Sequence, residues 1–213
     1  VNINEIVVTP GAKPIMFFGI MAVANEGDEV IYPNPGFPIY ESVINFVGAK
    51  PVPVPLLESV DFRFDIQRLV DSVTPKTRMI IINSPHNPTG GMLLKSDLEV
   101  IAELAIKNNI IVLSDEVYSK IIYGDAKHES ISSIPGMKER TIIIEGFSKT
   151  YAMTGWRLGY GVMPEELAGH ITKLMVNSNS CTAGIIQMAG LEALTGPQDS
   201  IGEMVKELKR RRD

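Results

Sequence analysis

The sequence is short of almost everything that would place it outside the ordinary globular classes. It holds one cysteine, Cys181, so no intrachain disulfide can form, and a reducing, cytoplasmic location is expected. It lacks a long apolar run; the longest, around Ile15 to Val23, is too short to span a bilayer. It lacks an excess of positive charge. Against 25 acidic residues stand 20 Lys and Arg, a net charge of −5, which gives no electrostatic reason for nucleic acid or an anionic membrane as partner. Its three histidines, His86, His128 and His170, show no metal-ligand spacing, so no metal site is expected. No Gly-x-Gly-x-x-Gly follows the first strand, which weighs against a dinucleotide fold. Repeats and low-complexity segments are also missing. The sequence opens on Val1, not Met, so targeting is not legible in it.

What is there is a series of apolar strands alternating with helices. Ile6 to Thr9 reads as a strand, and Pro10-Gly11-Ala12-Lys13 turns into an apolar helix over about 14–25. Glu29 to Tyr32 is a second strand. A proline-braced loop, 33–38, holds Phe37 at its tip and leads into a helix over 39–47. Prolines at 51, 53 and 55 confine that segment to a sheet edge or a linker. Residues 61–74 read as a loop and a short helix. Arg78 to Asn83 is a buried strand ending in the turn formers Ser84 to Gly91. The helix that follows carries a capping box, Ser96 with Glu99, and an apolar face of Leu98, Ile101, Ala102 and Ala105. Ile110 to Ser114, Thr141 to Ile144 and Leu158 to Met163 are further strands. Helices are expected at 165–177 and 183–194, and a last one from a second capping box, Ser200 with Glu203. Its basic end, Lys209 to Arg212, reads as a solvated helix end. The pattern predicts an α/β fold: three α/β/α layers around a mostly parallel, roughly seven-stranded sheet. Right-handed crossovers would bring the loops at Gly11, Asn87, Asp115 and Lys149 to one rim of that sheet.

Those loops carry the unusual residues. Lys149 follows a buried strand, where open α/β sheets place their chemistry. An amine there can form a Schiff base, and Ser148 and Arg157 can grip a doubly charged phosphate. Gly11 and Ala12 open a helix whose free N–H groups suit the same anion. The set matches a pyridine aldehyde phosphate. Asp115 at a strand end would face the ring nitrogen, while the adjacent Glu116 points the other way. Asn87 and Tyr118 offer donors to a phenolic oxygen, and Phe37 a flat partner for the ring. Taken singly, each has a bland reading as a turn, core or surface residue.

The chain resembles the large domain of fold-type I pyridoxal-phosphate enzymes, and among them is most similar to class I/II aminotransferases of the aspartate and aromatic kind. The segments that carry the resemblance are Thr-Pro-Gly-Ala-Lys at 9–13, Pro-Gly-Phe-Pro at 35–38, Asn-Ser-Pro-His-Asn-Pro-Thr-Gly at 83–90, Ser-Asp-Glu-Val-Tyr at 114–118 and Ser-Lys-Thr-Tyr-Ala-Met-Thr-Gly-Trp-Arg at 148–157. The resemblance implies pyridoxal 5′-phosphate as cofactor and amino acids and 2-oxo acids as substrates. It implies Lys149 as Schiff-base lysine and general base, Asp115 as partner of the ring nitrogen, and Asn87 and Tyr118 on the phenolic oxygen. Gly11, Ala12, Lys13, Ser148 and Arg157 would hold the phosphate, with Phe37 where relatives often have Trp or Tyr. It further implies a homodimer in which the segment around Cys181 approaches the partner's site. On the same ground, 1–213 is expected to be a large domain of about half a full enzyme. Residues 200–213 would start an interdomain helix, with a closing segment before Val1 and a small domain after Asp213. A fragment of that kind is expected to be weakly active or inactive. Two other functions stay compatible with these residues: a lyase or synthase of the same fold, and the aminotransferase-like sensor module of a transcription regulator.

Overall fold

The computed structural model describes residues 1–213. Its eight strands are β1 Ile6–Thr9, β2 Glu29–Asn34, β3 Lys50–Leu57, β4 Arg63–Phe64, β5 Thr77–Asn83, β6 Ile111–Asp115, β7 Thr141–Gly146 and β8 Gly159–Val162. The helices are α1 Lys13–Val23, α2 Ile39–Phe46, α3 Ile66–Ser72, α4 Lys95–Asn108, α5 Phe147–Thr150, α6 Glu165–Asn179, α7 Gly184–Thr195 and α8 Asp199–Arg212. The strands form one sheet in the order β1-β8-β7-β6-β5-β2-β3-β4. The middle five, from β7 to β3, are mutually parallel, and β8 runs antiparallel to both β7 and β1. Two reversals bring β1 back into the direction of β7, so the turn after β1 opens on the same rim as those after β5, β6 and β7.

Alternation along the strands divides the core into two layers. Met79 and Ile81 of β5, Leu113 of β6 and Ile142 and Ile144 of β7 pack with Ile15 and Ile20 of α1, Ile44 of α2 and Ile171 of α6. Ile80, Ile82 and Val112 point the other way, onto Leu69 of α3 and Leu98 and Ile101 of α4. Most of these side chains are fully buried, and each contributes roughly 1.5–3 kcal/mol relative to exposure. This is the three-layer α/β/α arrangement read from the sequence.

The sheet has eight strands instead of seven. The extra one, β4, is two residues long and pairs antiparallel with the end of β3, too short for any periodicity to show. β3 itself explains its prolines. The Lys50 N–H donates to the Asp28 carbonyl on the β2 side, at 2.8 Å, so by alternation the N–H groups of Val52 and Val54 face β2 as well. Pro51, Pro53 and Pro55 therefore turn their missing donors toward the thinly paired flank.

Neither expected capping box forms. α4 begins at Lys95, and the Asp97 carboxylate accepts the Leu94 N–H at 2.9 Å, so Ser96 lies inside the first turn. Asp97 is fixed in that place by Arg63, which donates to both its oxygens at 3.0 Å. α8 begins at Asp199, one residue before Ser200, and has no side-chain cap.

Candidate active site

Strand parity decides which side chains reach the rim's open face. Asp115 shares parity with Leu113 and points toward the α1 and α2 layer; Ser114 and Glu116 point toward α4. Asp115 is buried at 3% exposure, and it lies at the floor of a cleft of about 230 Å³. Burial pushes its carboxyl up to about 6, in spite of a hydrogen bond from Tyr40 that favours the ionised form. Asn83, one strand over, donates through Nδ2 to the Asp115 carbonyl at 3.0 Å. Its side-chain oxygen accepts the Asn87 N–H at 2.9 Å, which fixes the loop that carries Asn87.

Nine of the ten residues singled out in the sequence line this one cleft. Ala12, Lys13, Ser148 and Arg157 form one end; Phe37, Asn87, Asp115, Tyr118 and Lys149 form the rest. The tenth, Gly11, sits just behind, buried, with φ at +91°. A Cβ there would collide with the Arg157 guanidinium, so glycine is what lets the arginine close over the turn. The Gly11 N–H is spent on the Thr9 carbonyl at 2.8 Å. The N–H groups of Ala12 and Lys13 lead into α1, which has no side-chain cap and no acid in its first turn. That helix end is an uncompensated positive pole.

Arg157 donates through Nη1 to the Thr154 carbonyl at 2.8 Å and lies 3.4 Å from Ser148 Oγ. The guanidinium, the hydroxyl and the helix end thus line the same cleft. Lys149 is exposed on the rim, its Nζ 5.7 Å from the centre of the Tyr118 ring. The Phe37 ring has Lys13 Nζ at 5.3 Å on one side and Tyr40 edge-on at 6.1 Å on another.

Sequence reasoning missed Tyr40, Asn83, Met16, Val117, Gly146 and Thr154. The first holds Asp115, and the others line the cleft. It also missed a polar cluster on the far side of the sheet. There Glu116 takes hydrogen bonds from Ser114 at 2.9 Å and Ser130 at 2.7 Å and meets His128 at 2.8 Å. Beside it, Ser119 donates to Glu145 at 2.7 Å, and burial pushes the Glu145 carboxyl up to about 7. The alternation at the end of β6 foreshadowed that Glu116 turns away from the cleft; nothing in the sequence marked its partners.

Fold and cleft together define an α/β domain with an accessible amine, a buried acid, and a guanidinium beside an uncapped helix start, gathered on the carboxyl rim of a mostly parallel sheet. Residues 2–213 match the family Aminotransferase class I and II, and the chain belongs to it. It is 45% identical to an aspartate aminotransferase of Pyrococcus abyssi over 98% of its own length and 54% of that protein's. It is 41% identical to aromatic-amino-acid aminotransferase 2 of Thermococcus litoralis, over 99% and 54%. The crystal structure of an aromatic aminotransferase from Pyrococcus horikoshii superposes with a TM-score of 0.95 at 45% identity, over 98% of this chain and 56% of that one. The chain therefore spans about half the length of the curated relatives it matches. Membership in this family implies dependence on pyridoxal phosphate. No helix is long and apolar enough to cross a membrane.

Proposed function

We propose that residues 1–213 are the cofactor-binding large domain of an aminotransferase that moves an amino group between an amino acid and a 2-oxo acid. One observation carries this reading: Asp115 at the end of β6, Ser148 and Lys149 just past β7, and Arg157 just before β8 line a single cleft. The donor set fits pyridoxal 5′-phosphate, group for group. When bound, that cofactor supplies the carbonyl carbon that takes the amino group and the ring that spreads the charge left by a departing α-proton.

The chain's own residues do the remainder. Lys149 Nζ would be the attachment point and, when free, the base for the substrate's α-proton. Asp115, ionised, would hold a proton on the ring nitrogen and so keep the ring electron-poor. Tyr118 and Asn87 would donate to the phenolic oxygen, and Phe37 would offer its ring as a stacking partner. Arg157, Ser148 and the α1 end would anchor the phosphate and so fix the cofactor relative to Lys149. The similarity to aspartate and aromatic aminotransferases makes aspartate and the aromatic amino acids the donors of first choice. Ile185, Met188, Leu191 and Leu194 project from α7, each more than half exposed, and support a homodimer. The lone, exposed Cys181 supports a cytoplasmic location.

The test is covalent. Pyridoxal phosphate is added to the purified chain, the mixture reduced with borohydride, and the modified residue found by mass spectrometry. A single label on Lys149, lost in Lys149→Ala, is expected. Labels scattered over surface lysines in the wild type would sink the reading.

A further inference from the structure

Tyr40 is the second residue of α2 and is fully buried. Its hydroxyl donates to Asp115 Oδ2 at 2.6 Å, across 75 residues of sequence. The same ring meets Phe37 edge-on at 80°, 6.1 Å between centres. One side chain thus touches both the acid on the cleft floor and the aromatic ring on its wall. The other carboxylate oxygen has only a long contact, 3.4 Å, from the Val117 N–H, which leaves it available to the cleft. Burial and the neighbouring Asp115 raise the Tyr40 phenol well above its ordinary value, so it stays protonated and serves Asp115 as a donor. The charged or titratable groups nearest to this pair are Glu116, which is turned to the other face, and Tyr118.

We propose that Tyr40 is a positioning residue of this site: its hydroxyl pins the Asp115 carboxylate and its ring seats Phe37, fixing acid and stacking ring in one relation to the cofactor. The physical reason is freedom of rotation. A carboxylate held at one oxygen by a short charge-assisted bond presents the other in a single orientation. A half-exposed aromatic on a loop acquires one orientation by packing edge-on against a buried ring. The inference rests on the function proposed above, and its test separates the two.

Carboxyl-carbon NMR of the cofactor-free chain, labelled at aspartate, reads the hold on Asp115 directly. In Tyr40→Phe the ring stays and the donor goes; Asp115 is expected to titrate about one pH unit higher. Affinity for pyridoxal phosphate, followed by absorbance, is expected to fall about tenfold, the equivalent of one hydrogen bond to a charged group. The melting temperature is expected to change little. Tyr40→Leu, which also unseats Phe37, is expected to lose more affinity than Tyr40→Phe. Growth on 3-fluorotyrosine strengthens the donor without a mutation and is expected to lower the Asp115 titration, which covers the case of a variant that does not fold. An Asp115 titration indifferent to both changes overturns the proposal, whether or not cofactor binds. A wild type that takes no label at Lys149 overturns the proposed function instead.

Discussion

At the residue scale, the site turns on a carboxyl that burial holds near 6. In its proposed role Asp115 must be ionised to pair with a protonated ring nitrogen, so protons would compete with the cofactor for it. Affinity for pyridoxal phosphate is expected to fall as pH drops below 6, steeper than the phosphate's own ionisation alone would give. Asp115→Asn is expected to remove the Asp115 share of that slope. It is also expected to weaken binding at pH 8 by about a hundredfold or more, as loss of one member of a buried charge pair does. Spectrophotometric titrations from pH 5 to pH 8 check both. Lys149 and Asp115 stood out in the sequence as charge just past an apolar strand, and Arg157 as a guanidinium in the same segment as Lys149. Tyr40 did not, because with Val43 and Ile44 it continues the apolar stripe of α2 and reads as core. Its hydroxyl acquires meaning only when Asp115 arrives from another strand.

At the scale of elements, the proposed phosphate end is shaped by how closely β8 passes the turn between β1 and α1. A Cβ on Gly159 would lie 2.6 Å from the Ala12 nitrogen and 2.6 Å from the Gly11 carbonyl carbon, both backbone atoms that cannot swing aside. Gly159→Ala is expected to cost about 1–3 kcal/mol, as overpacking does, and to weaken inorganic phosphate binding by displacing the turn. Gly155→Ala, with nothing within 4 Å, is the control. Urea midpoints and phosphate titrations of the two variants decide the matter. The strands and the long helices were legible from periodicity, and the β3 prolines announced a flank. The helix starts were not. Ser96 and Ser200 have the right spacing to an acid, yet in each case the helix begins one residue earlier, at α4 because Arg63 holds Asp97 in the capping place.

For the whole molecule, the two raised carboxyls set a direction for stability against pH. Asp115 and Glu145 have folded-state values near 6 and 7 against ordinary values of 3.8 and 4.5. Between those limits the folded chain holds more protons than the unfolded one, so their contribution is intact below about pH 4 and is lost as pH rises through 6 and 7. Buried His86, pushed down from 6.5 to about 4, acts the other way, because the unfolded chain takes up its proton between those limits and stability rises with pH. Two carboxyls against one imidazole leave the cofactor-free chain expected to be less stable at pH 8 than at pH 5, by an amount that urea denaturation measures. Glu145→Gln is expected to return on the order of 1–3 kcal/mol at pH 8 and little at pH 5. A variant that gained equally at both would remove Glu145 as the cause. The eight-stranded layout, legible but for β4, places the acid cluster of Glu116 and Glu145 directly behind the cleft floor, a juxtaposition that strand order alone creates.

The pairing of β1 with β8, Thr9 opposite Gly159, has a consequence for synthesis. In this sheet β1 pairs with β8 alone, and that partner leaves the ribosome some 150 residues later. Until β8 emerges, the Gly11 turn has neither its neighbouring strand nor Arg157 above it. The Gly11 and Arg157 end of the cleft is thus completed only after β2 to β7 have been made, and a nascent chain is expected to hold the proposed cofactor firmly only once that late segment has docked.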